Sequence, residues 1–197
     1  MGWNWGPVFE RNRATAGFDR THVFQLGWVY ELPFGKGKSY LNSGVIAHVL
    51  GGWQFSGIEA MYTGTPFTVT APGGSLNAPN NTQTADQVGP VEFLGNVGPG
   101  TRYYNPAAFA PVTDVRFGTS GRNILRNPGV WNTDMTIMRM FPIKEKAQLQ
   151  FRTEFYNLPN TSHFNGVASG SVTSGNFMVI NSSYGERNIR FALRLQW

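Results

Sequence analysis

Three segments of the chain alternate apolar and polar residues with a period of two. Apolar side chains predominate at the even positions of 22–32 and at the odd positions of 147–157 and 189–197. Since successive side chains of an extended strand point to opposite faces, each segment is predicted to be a strand with one apolar face. In the last strand this face is Ile189, Phe191, Leu193, Leu195 and Trp197, against Asn188, Arg190, Ala192, Arg194 and Gln196.

Two further segments are predicted to be strands with irregularities. In positions 53–69 the apolar residues change parity after Phe55, and a β-bulge at Ser56-Gly57 would reconcile the two halves. In positions 131–141 Arg139 interrupts the apolar set. This arginine indicates either a second irregularity or a side chain that reaches for an interface.

The connections between these five segments alternate in length. A tight turn is predicted at 142–146, whereas long loops rich in Gly, Pro, Asn or Ser are predicted at about 70–130 and 159–186. The first connection, 33–52, is intermediate, and its segment 43–50 is expected to form a helical turn. Loops as long as 70–130 are uncommon in compact soluble domains, but short turns on one side and long loops on the other are typical of outer-membrane barrels.

Composition agrees with strands and loops and removes several kinds of function. Charged residues are 14% of the chain, below the roughly 25% of soluble domains. The net charge of +5 comes from scattered basic residues without a basic run, so nucleic-acid binding is not predicted. Because there is no cysteine, disulfides, thiolate nucleophiles and zinc-thiolate sites are excluded.

A membrane location would have to rest on strands. No apolar stretch reaches the roughly 18 residues of a transmembrane helix, and positions 1–7 lack the features of a signal peptide. If the strands alternate in direction and the chain ends in the periplasm, Tyr30, Trp53, Phe141 and Trp197 fall at one level. Aromatic residues at one level are expected at a membrane interface. The alternative is that these rings are core residues of a soluble β-sandwich.

An ordered set of short motifs resembles the C-terminal barrel of TonB-dependent receptors, specifically their Oar-like branch. The motifs are Phe18-Asp19-Arg20-Thr21-His22, Leu32-Pro33-Phe34-Gly35-Lys36-Gly37, Gly51-Gly52-Trp53-Gln54-Phe55-Ser56-Gly57, Gly64-Thr65-Pro66-Phe67, Tyr104-Asn105-Pro106-Ala107-Ala108-Phe109, Gly121-Arg122-Asn123-Ile124-Leu125-Arg126, Asp134-Met135-Thr136 and Gln150-Phe151-Arg152-Thr153-Glu154-Phe155-Tyr156-Asn157, followed by the terminal strand. Leu193, Leu195 and Trp197 also look like the signal by which the assembly machinery recognises barrels.

The resemblance implies an all-β fold, with about five long antiparallel up-and-down strands and long loops forming the C-terminal part of a transmembrane β-barrel. Residues 1–197 would be that segment alone, without the signal peptide, plug domain or TonB-binding segment of family members. The intact protein would take up a ligand across the outer membrane of a Gram-negative bacterium with energy from TonB. Its implied partners are membrane lipid, the assembly machinery and, through the missing N-terminal part, the plug and TonB.

The residues suggest contacts and no catalytic chemistry. His22, His48 and His163 have no metal-ligand spacing, and Gly37-Lys38-Ser39 lacks the leading glycine of a phosphate-binding loop. No cofactor is predicted, and the chain is not expected to be an enzyme. Candidate lumen-facing contacts are Arg152, Glu154, Arg190 and Arg194, of which Arg152 and Glu154 are expected to pair with each other. The alternative function is a secreted or surface β-sandwich that binds carbohydrate.

Overall fold

A computed structural model describes residues 6–78, 81–144 and 147–197. Five long strands are β1 (Val23–Glu31), β2 (Trp53–Tyr62), β3 (Val130–Lys144), β4 (Ala147–Tyr156) and β5 (Asn188–Gln196). Two α-helices are α1 (Gly6–Asn12) and α2 (Gly44–Leu50), and 3-10 turns span Gly73–Leu76 and Pro106–Ala108. Short strands are Pro66–Phe67, Thr70–Pro72, Thr82–Thr84, Asp86–Gln87, Phe109–Ala110, Leu125–Arg126, His163–Phe164 and Ser183–Tyr184. Positions 1–7 are interpreted as lacking the features of a signal peptide, and residues 1–5 of that segment lie outside the described residues.

The five long strands form one antiparallel sheet in the order β1-β2-β3-β4-β5. Each strand therefore lies beside its neighbours in the chain, as in an up-and-down topology, and β1 and β5 form the two edges. The predicted number, order and direction of the strands are confirmed. The strongly alternating segments also lie within two residues of their predicted bounds, because a period of two is the direct signature of a half-buried strand.

The β1–β2 pair contradicts the predicted bulge. The backbone N–H of Leu32 donates to Trp53 O at 3.0 Å, and that of Thr63 donates to His22 O at 3.0 Å. Ten residue steps separate these two bonds in each strand, so β2 has no unmatched residue relative to β1. The parity changes after Phe55 because Ile58, Ala60 and Tyr62 are apolar residues that lie on the polar face of the sheet. The strand also ends at Tyr62 and does not continue to position 69.

Gly57 lies opposite Trp28 in this register, and this close contact explains the glycine without a bulge. A Cβ atom on Gly57 would lie 2.5 Å from the indole ring of Trp28. The bare backbone of β2 therefore makes room for the largest side chain of β1. A glycine within a strand marks either a bulge or a close approach, and here it marks the close approach.

The β3–β4 pair forms a hairpin with an irregularity near its end. The register runs from Phe155 opposite Met135 to Gln148 opposite Pro142, and then shifts so that Ala147 lies opposite Lys144. The tight turn predicted at 142–146 is therefore shorter than expected, because β3 continues to Lys144. Its tip, residues 145 and 146, lies outside the described part.

Helix α2 confirms the helical turn expected at 43–50, and it resolves the position of Arg139. The two Nη atoms of Arg139 donate to the carbonyls of Val49, at 2.7 Å, and of His48. Its guanidinium also lies 5.5 Å from the ring centroid of Trp53 and 4.5 Å from that of Phe141. Arg139 is therefore a cation on the apolar face that binds the carbonyl end of a helix, where a positive charge is favoured.

A second compact unit, which we call the loop unit, comprises the described residues 6–23, 62–78, 81–130 and 163–184. Its core is Val69, Ala71, Ala85, Ala108, Phe109, Val112, Leu125, Phe177 and Met178. The expectation that 70–130 and 159–186 are irregular loops is wrong in this respect. Small and aromatic residues spaced without a period pack into a core that no periodic pattern could have shown.

Candidate functional site

The polar face of the sheet brings together the four residues proposed as lumen contacts. Arg152 Nη2 lies 2.6 Å from Glu154 Oε1, so the expected pairing between these two residues is present. The Tyr156 hydroxyl donates to the other carboxylate oxygen of Glu154 at 3.1 Å. Arg190 lies opposite Glu154 in the β4–β5 register and stacks 5.0 Å from the Tyr156 ring centroid. Arg194 lies opposite Gln150, further along the same face.

A hollow of about 460 Å³ lies along this polar face. Its lining includes Val29, Ile58, Asp134, Thr136, Arg152 and Glu154. The hollow thus combines apolar walls with two carboxylates and a guanidinium, a composition suited to binding a polar or charged group. Its walls come from strands β1 to β4, so the sheet itself builds the site.

Asp134 and Asn157 fix the end of the hollow. The Asp134 carboxylate accepts hydrogen bonds from the Asn132 amide and from the Asn157 backbone N–H, both at 2.9 Å. Asn157 is buried and has a left-handed backbone conformation, with φ of 51°. Its side chain donates to Thr161 O at 2.8 Å and to Gly185 O. These bonds tie the end of β4 to the segment that precedes β5.

An aromatic cluster in the loop unit was missed by sequence reasoning. The ring centroids of Phe93 and Tyr103 lie 4.8 Å apart, as do those of Tyr103 and Tyr104. Phe93 is exposed, and the Tyr104 hydroxyl donates to Arg126 O at 2.9 Å. Burial raises the pKa of both tyrosine hydroxyls. The cluster is therefore a partly exposed aromatic surface held in place by a hydrogen bond, and it carries neutral hydroxyls.

Only the motif Tyr104-Asn105-Pro106 gave a sequence signal for that region. Asn105 caps the 3-10 turn that follows it, since its Oδ1 accepts from the Ala107 N–H at 3.0 Å. Asn before Pro is a usual start for such a turn. Phe93 could not have been associated with Tyr104, because they meet through an isolated antiparallel bridge that no alternating pattern marks.

Other motifs of the resemblance are held by buried or half-buried contacts. Arg126 Nη2 lies 2.6 Å from Asp19 Oδ2, and its Nη1 donates to Gly64 O at 3.0 Å. Gly64 has no room for a side chain, because a Cβ atom would overlap the Asn127 carbonyl. Three separate motifs thus meet at one arginine of the loop unit.

The family described as outer membrane beta barrel domain matches residues 6–190. The match spans nearly all of the chain, including all of β1 to β4 and the loop unit. The chain belongs to this family of outer-membrane β-barrels. It is therefore a protein of the outer membrane of a Gram-negative bacterium. A comparison with curated proteins finds no match, and a comparison with solved structures finds none either.

In an outer-membrane barrel the apolar face of the sheet meets lipid, and the aromatic residues match that use. Trp53 and Phe141 lie side by side, with ring centroids 6.5 Å apart. Trp131 lies ten residues before Phe141 in β3, which corresponds to ~33 Å along the strand at ~3.3 Å per residue. A strand tilt of ~40° reduces this to ~25 Å across the membrane, the height of the apolar band of such barrels.

Tyr30 and the C-terminal Trp197 belong to the same end of the sheet as Trp53 and Phe141. Leu32, two residues after Tyr30, bonds to Trp53, and Gln196 lies opposite Gln148 at the start of β4. The four aromatics therefore lie at the same end of the sheet, and their common level at a membrane interface stays a prediction.

The residues proposed as the assembly signal lie on the apolar face. Leu193 lies opposite Phe151, and Leu195 lies opposite Leu149. Trp197 follows the end of β5 and is 91% exposed. The structure therefore presents an accessible apolar edge at the C-terminus, and its role in assembly stays a prediction.

Within residues 6–78, 81–144 and 147–197, no group of three or more His, Asp or Glu side chains is arranged to hold a metal ion. His163 lies beside Tyr184, with ring centroids 5.4 Å apart. No helix of the described chain has both the length and the apolar character needed to span a membrane.

Proposed function

We propose that this chain is the C-terminal part of a TonB-dependent receptor of the Oar-like kind, and that the intact protein takes up a ligand across the outer membrane. The family match supports an outer-membrane barrel. The ordered motifs described above support the finer assignment. The observation that carries the ligand-uptake part of the proposal is the packed core of the loop unit.

A packed core gives the connections between strands a fixed surface. In barrels whose loops only link strands, no such core is required, and flexible segments suffice. Here Met178, Val69 and Ala85 are fully buried, and Asp86 accepts two hydrogen bonds from the guanidinium of Arg116, at 2.7 and 2.8 Å. A preorganised surface lowers the cost of ordering on binding, as a receptor requires. The Phe93–Tyr103–Tyr104 cluster is the part of that surface that we assign to ligand contact.

The polar face of the sheet would serve the plug domain of the intact protein. Its alternating charges, centred on the Arg152–Glu154 pair, offer hydrogen bonds and ion pairs to a domain inside the barrel. The isolated chain is expected neither to conduct nor to import. Five tilted strands do not enclose a lumen, since the smallest barrels use about eight.

The experiment that tests the proposal measures binding of the purified periplasmic domain of TonB to outer-membrane vesicles that contain the full-length protein. Saturable binding is expected, and vesicles without the protein provide the background. Vesicles in which the full-length protein lacks the N-terminal segment that would bind TonB are the matched control and should not bind. Equal binding to all three kinds of vesicle contradicts energy coupling through TonB, while leaving the outer-membrane location unaffected.

The alternative of a secreted or surface β-sandwich is wrong. The chain belongs to an outer-membrane barrel family, and its five long strands lie in one sheet. A sandwich of the kind considered would divide long strands between two packed sheets.

A further inference from the structure

Helix α2 turns its apolar side away from the protein. Four branched apolar residues, Val45, Ile46, Val49 and Leu50, are exposed, while Ala47 is the buried residue of the helix. At 3.6 residues per turn, Val45 and Val49 lie beside Ile46 and Leu50 on one side, and Ala47 lies on the other. A helix in water would bury this side, so its orientation requires an apolar environment that the described residues do not supply.

The C-terminal end of α2 is fastened to the apolar face of the sheet. The Trp53 indole Nε1 donates to Val49 O at 3.0 Å, and Arg139 donates to the same carbonyl at 2.7 Å. Trp53 in turn packs edge-on against Phe151 of β4, with centroids 6.0 Å apart. The helix thus adjoins the lipid-facing surface at the level of its aromatic residues.

Close backbone packing holds the same end of the helix. A Cβ atom on Gly51 would lie 2.6 Å from the Cα of Gly35, so the segment before α2 lies directly against the residue that follows it. Gly35 begins a turn in which Lys38 N–H donates to Gly35 O at 3.0 Å. The turn leaves Lys36 exposed, one residue after the glycine that packs against the residue following the helix.

The side of the membrane follows from the connections. Helix α2 lies between the end of β1 and the start of β2, at the end of the sheet where β3 and β4 are joined by the short hairpin and where β5 ends. Short turns of outer-membrane barrels lie in the periplasm. The phospholipids of the periplasmic leaflet are therefore the apolar environment within reach of the helix.

We propose that α2 is an interfacial helix embedded in the periplasmic phospholipid leaflet, with its four branched side chains among the acyl chains and Lys36 at the phosphate headgroups. An amphipathic helix at an interface gains from apolar burial and from the attraction between cations and anionic lipid. Held by Trp53 and Arg139, the helix extends the lipid contact beyond the strands. This inference depends on the outer-membrane location and not on ligand uptake.

The test uses the full-length protein in liposomes of phosphatidylethanolamine and phosphatidylglycerol, with a nitroxide spin label on a single introduced cysteine. Val49→Cys reports the outward side of α2, and His48→Cys is the matched control on the adjacent side of the same helix. Collisions with oxygen, which concentrates in lipid, are compared with collisions with a water-soluble nickel chelate. The label at 49 is expected to show a several-fold higher oxygen-to-nickel ratio than the label at 48, and Leu193→Cys provides the lipid reference.

Two results would overturn the proposal. Equal ratios at 49 and 48 would place the helix in water. Protection of the label at 49 from both reagents would mean that protein, such as a second copy of the chain, covers the helix. Folding is checked in each variant by the heat-dependent gel migration of the barrel, so that only inserted protein is compared.

Discussion

The loop unit and the sheet differ in the burial of their apolar side chains. In the described residues of the loop unit, Val8, Val69, Ala85, Met178 and Ile180 are fully or almost fully buried. Among the described residues of the sheet region, 24–61, 131–162 and 185–197, the only buried hydrophobic residue is Ala47. The exposed large apolar side chains of that region include Phe24, Leu26, Tyr30, Phe191, Leu193 and Leu195.

The difference shows that the two regions are built for different solvents. The loop unit removes apolar groups from water by packing them together, which is the usual source of stability in a soluble domain. Between neighbouring strands the sheet pairs its backbone through hydrogen bonds, and it leaves its apolar side chains for lipid. A substitution should therefore have a different effect in each region, even where the side chains are similar.

The largest effect is expected from Met178→Ala. Met178 is 0% exposed in the core of the loop unit, and truncating a buried side chain to alanine costs about 2–5 kcal/mol through lost contacts and a cavity. Hydrogen exchange of the loop-unit amides in the full-length protein measures the change in opening free energy. Val115→Ala is the control, since Val115 is 89% exposed, and it should change little. Similar effects of the two substitutions would mean that the loop unit has no cooperative core.

A smaller effect, confined to membrane insertion, is expected from Leu193→Glu. Basic residues on the lipid face of such barrels cost about 2–4 kcal/mol near the bilayer midplane, and acidic residues cost less. Ala192→Glu is the matched control, because Ala192 lies opposite Arg152 on the polar face and a carboxylate there is favoured. The equilibrium between unfolded and inserted protein in lipid, measured against denaturant, compares the two. A larger loss from Ala192→Glu would reverse the assignment of the faces.

Tyr104→Phe should have a modest effect in the loop unit alone. It removes one half-buried hydrogen bond, 2.9 Å from the Tyr104 hydroxyl to Arg126 O, which is worth about 1 kcal/mol. Amide exchange of the loop unit should therefore increase slightly, while the heat-dependent migration of the barrel stays unchanged. If the substitution altered barrel migration and left loop exchange intact, the separation of the two regions would be contradicted.

The smallest effect is expected from acid. The bidentate hydrogen bond between the Asp86 carboxylate and the Arg116 guanidinium holds the pKa of Asp86 below its ordinary value. A hydrogen bond from the Thr119 N–H, at 3.0 Å, lowers the pKa further. A lowered folded-state pKa stabilises the loop unit fully above the unfolded value of about 3.9, and that contribution is lost as pH falls through the lower, folded value. Partial exposure of Arg116 limits its size.

Asp86→Asn is the control for the acid effect. Loop-unit stability should depend less on pH below about 4 in this variant than in the wild type, as seen by amide exchange at matched pH. An identical pH dependence in the two proteins would assign the acid sensitivity to other groups.

The sheet could be predicted from the sequence and the loop unit could not, for a physical reason. Apolar and polar residues alternate in strands β4 and β5, because the two faces of each strand meet different environments. The core of the loop unit joins residues such as Ala71, Phe109 and Phe177 from separate segments, and no local period records those contacts. The same limit applied to β2, where Gly57 suggested a bulge but makes room for Trp28.

The candidate site was predictable to a similar extent. Arg152 and Glu154 are two positions apart on one strand face, so their pairing could be inferred from spacing alone. The role of Arg139 could not, because its partners are backbone carbonyls of α2, ninety residues earlier in the chain. Phe93 likewise reaches Tyr103 and Tyr104 only through the tertiary fold.

The reactivity of cysteines along β5 would show whether one face of the sheet meets lipid and the other does not. The chain contains no cysteine, so Ala192→Cys, Leu193→Cys, Arg194→Cys and Leu195→Cys can each be made singly in a full-length protein free of other cysteines. Reaction with a water-soluble maleimide is measured in outer membranes that contain the barrel of each variant without a plug domain, so that the polar face is open to water. Fast labelling is expected at 192 and 194, and slow labelling is expected at 193 and 195. Equal labelling at all four positions, or the opposite alternation, would contradict this assignment of the faces.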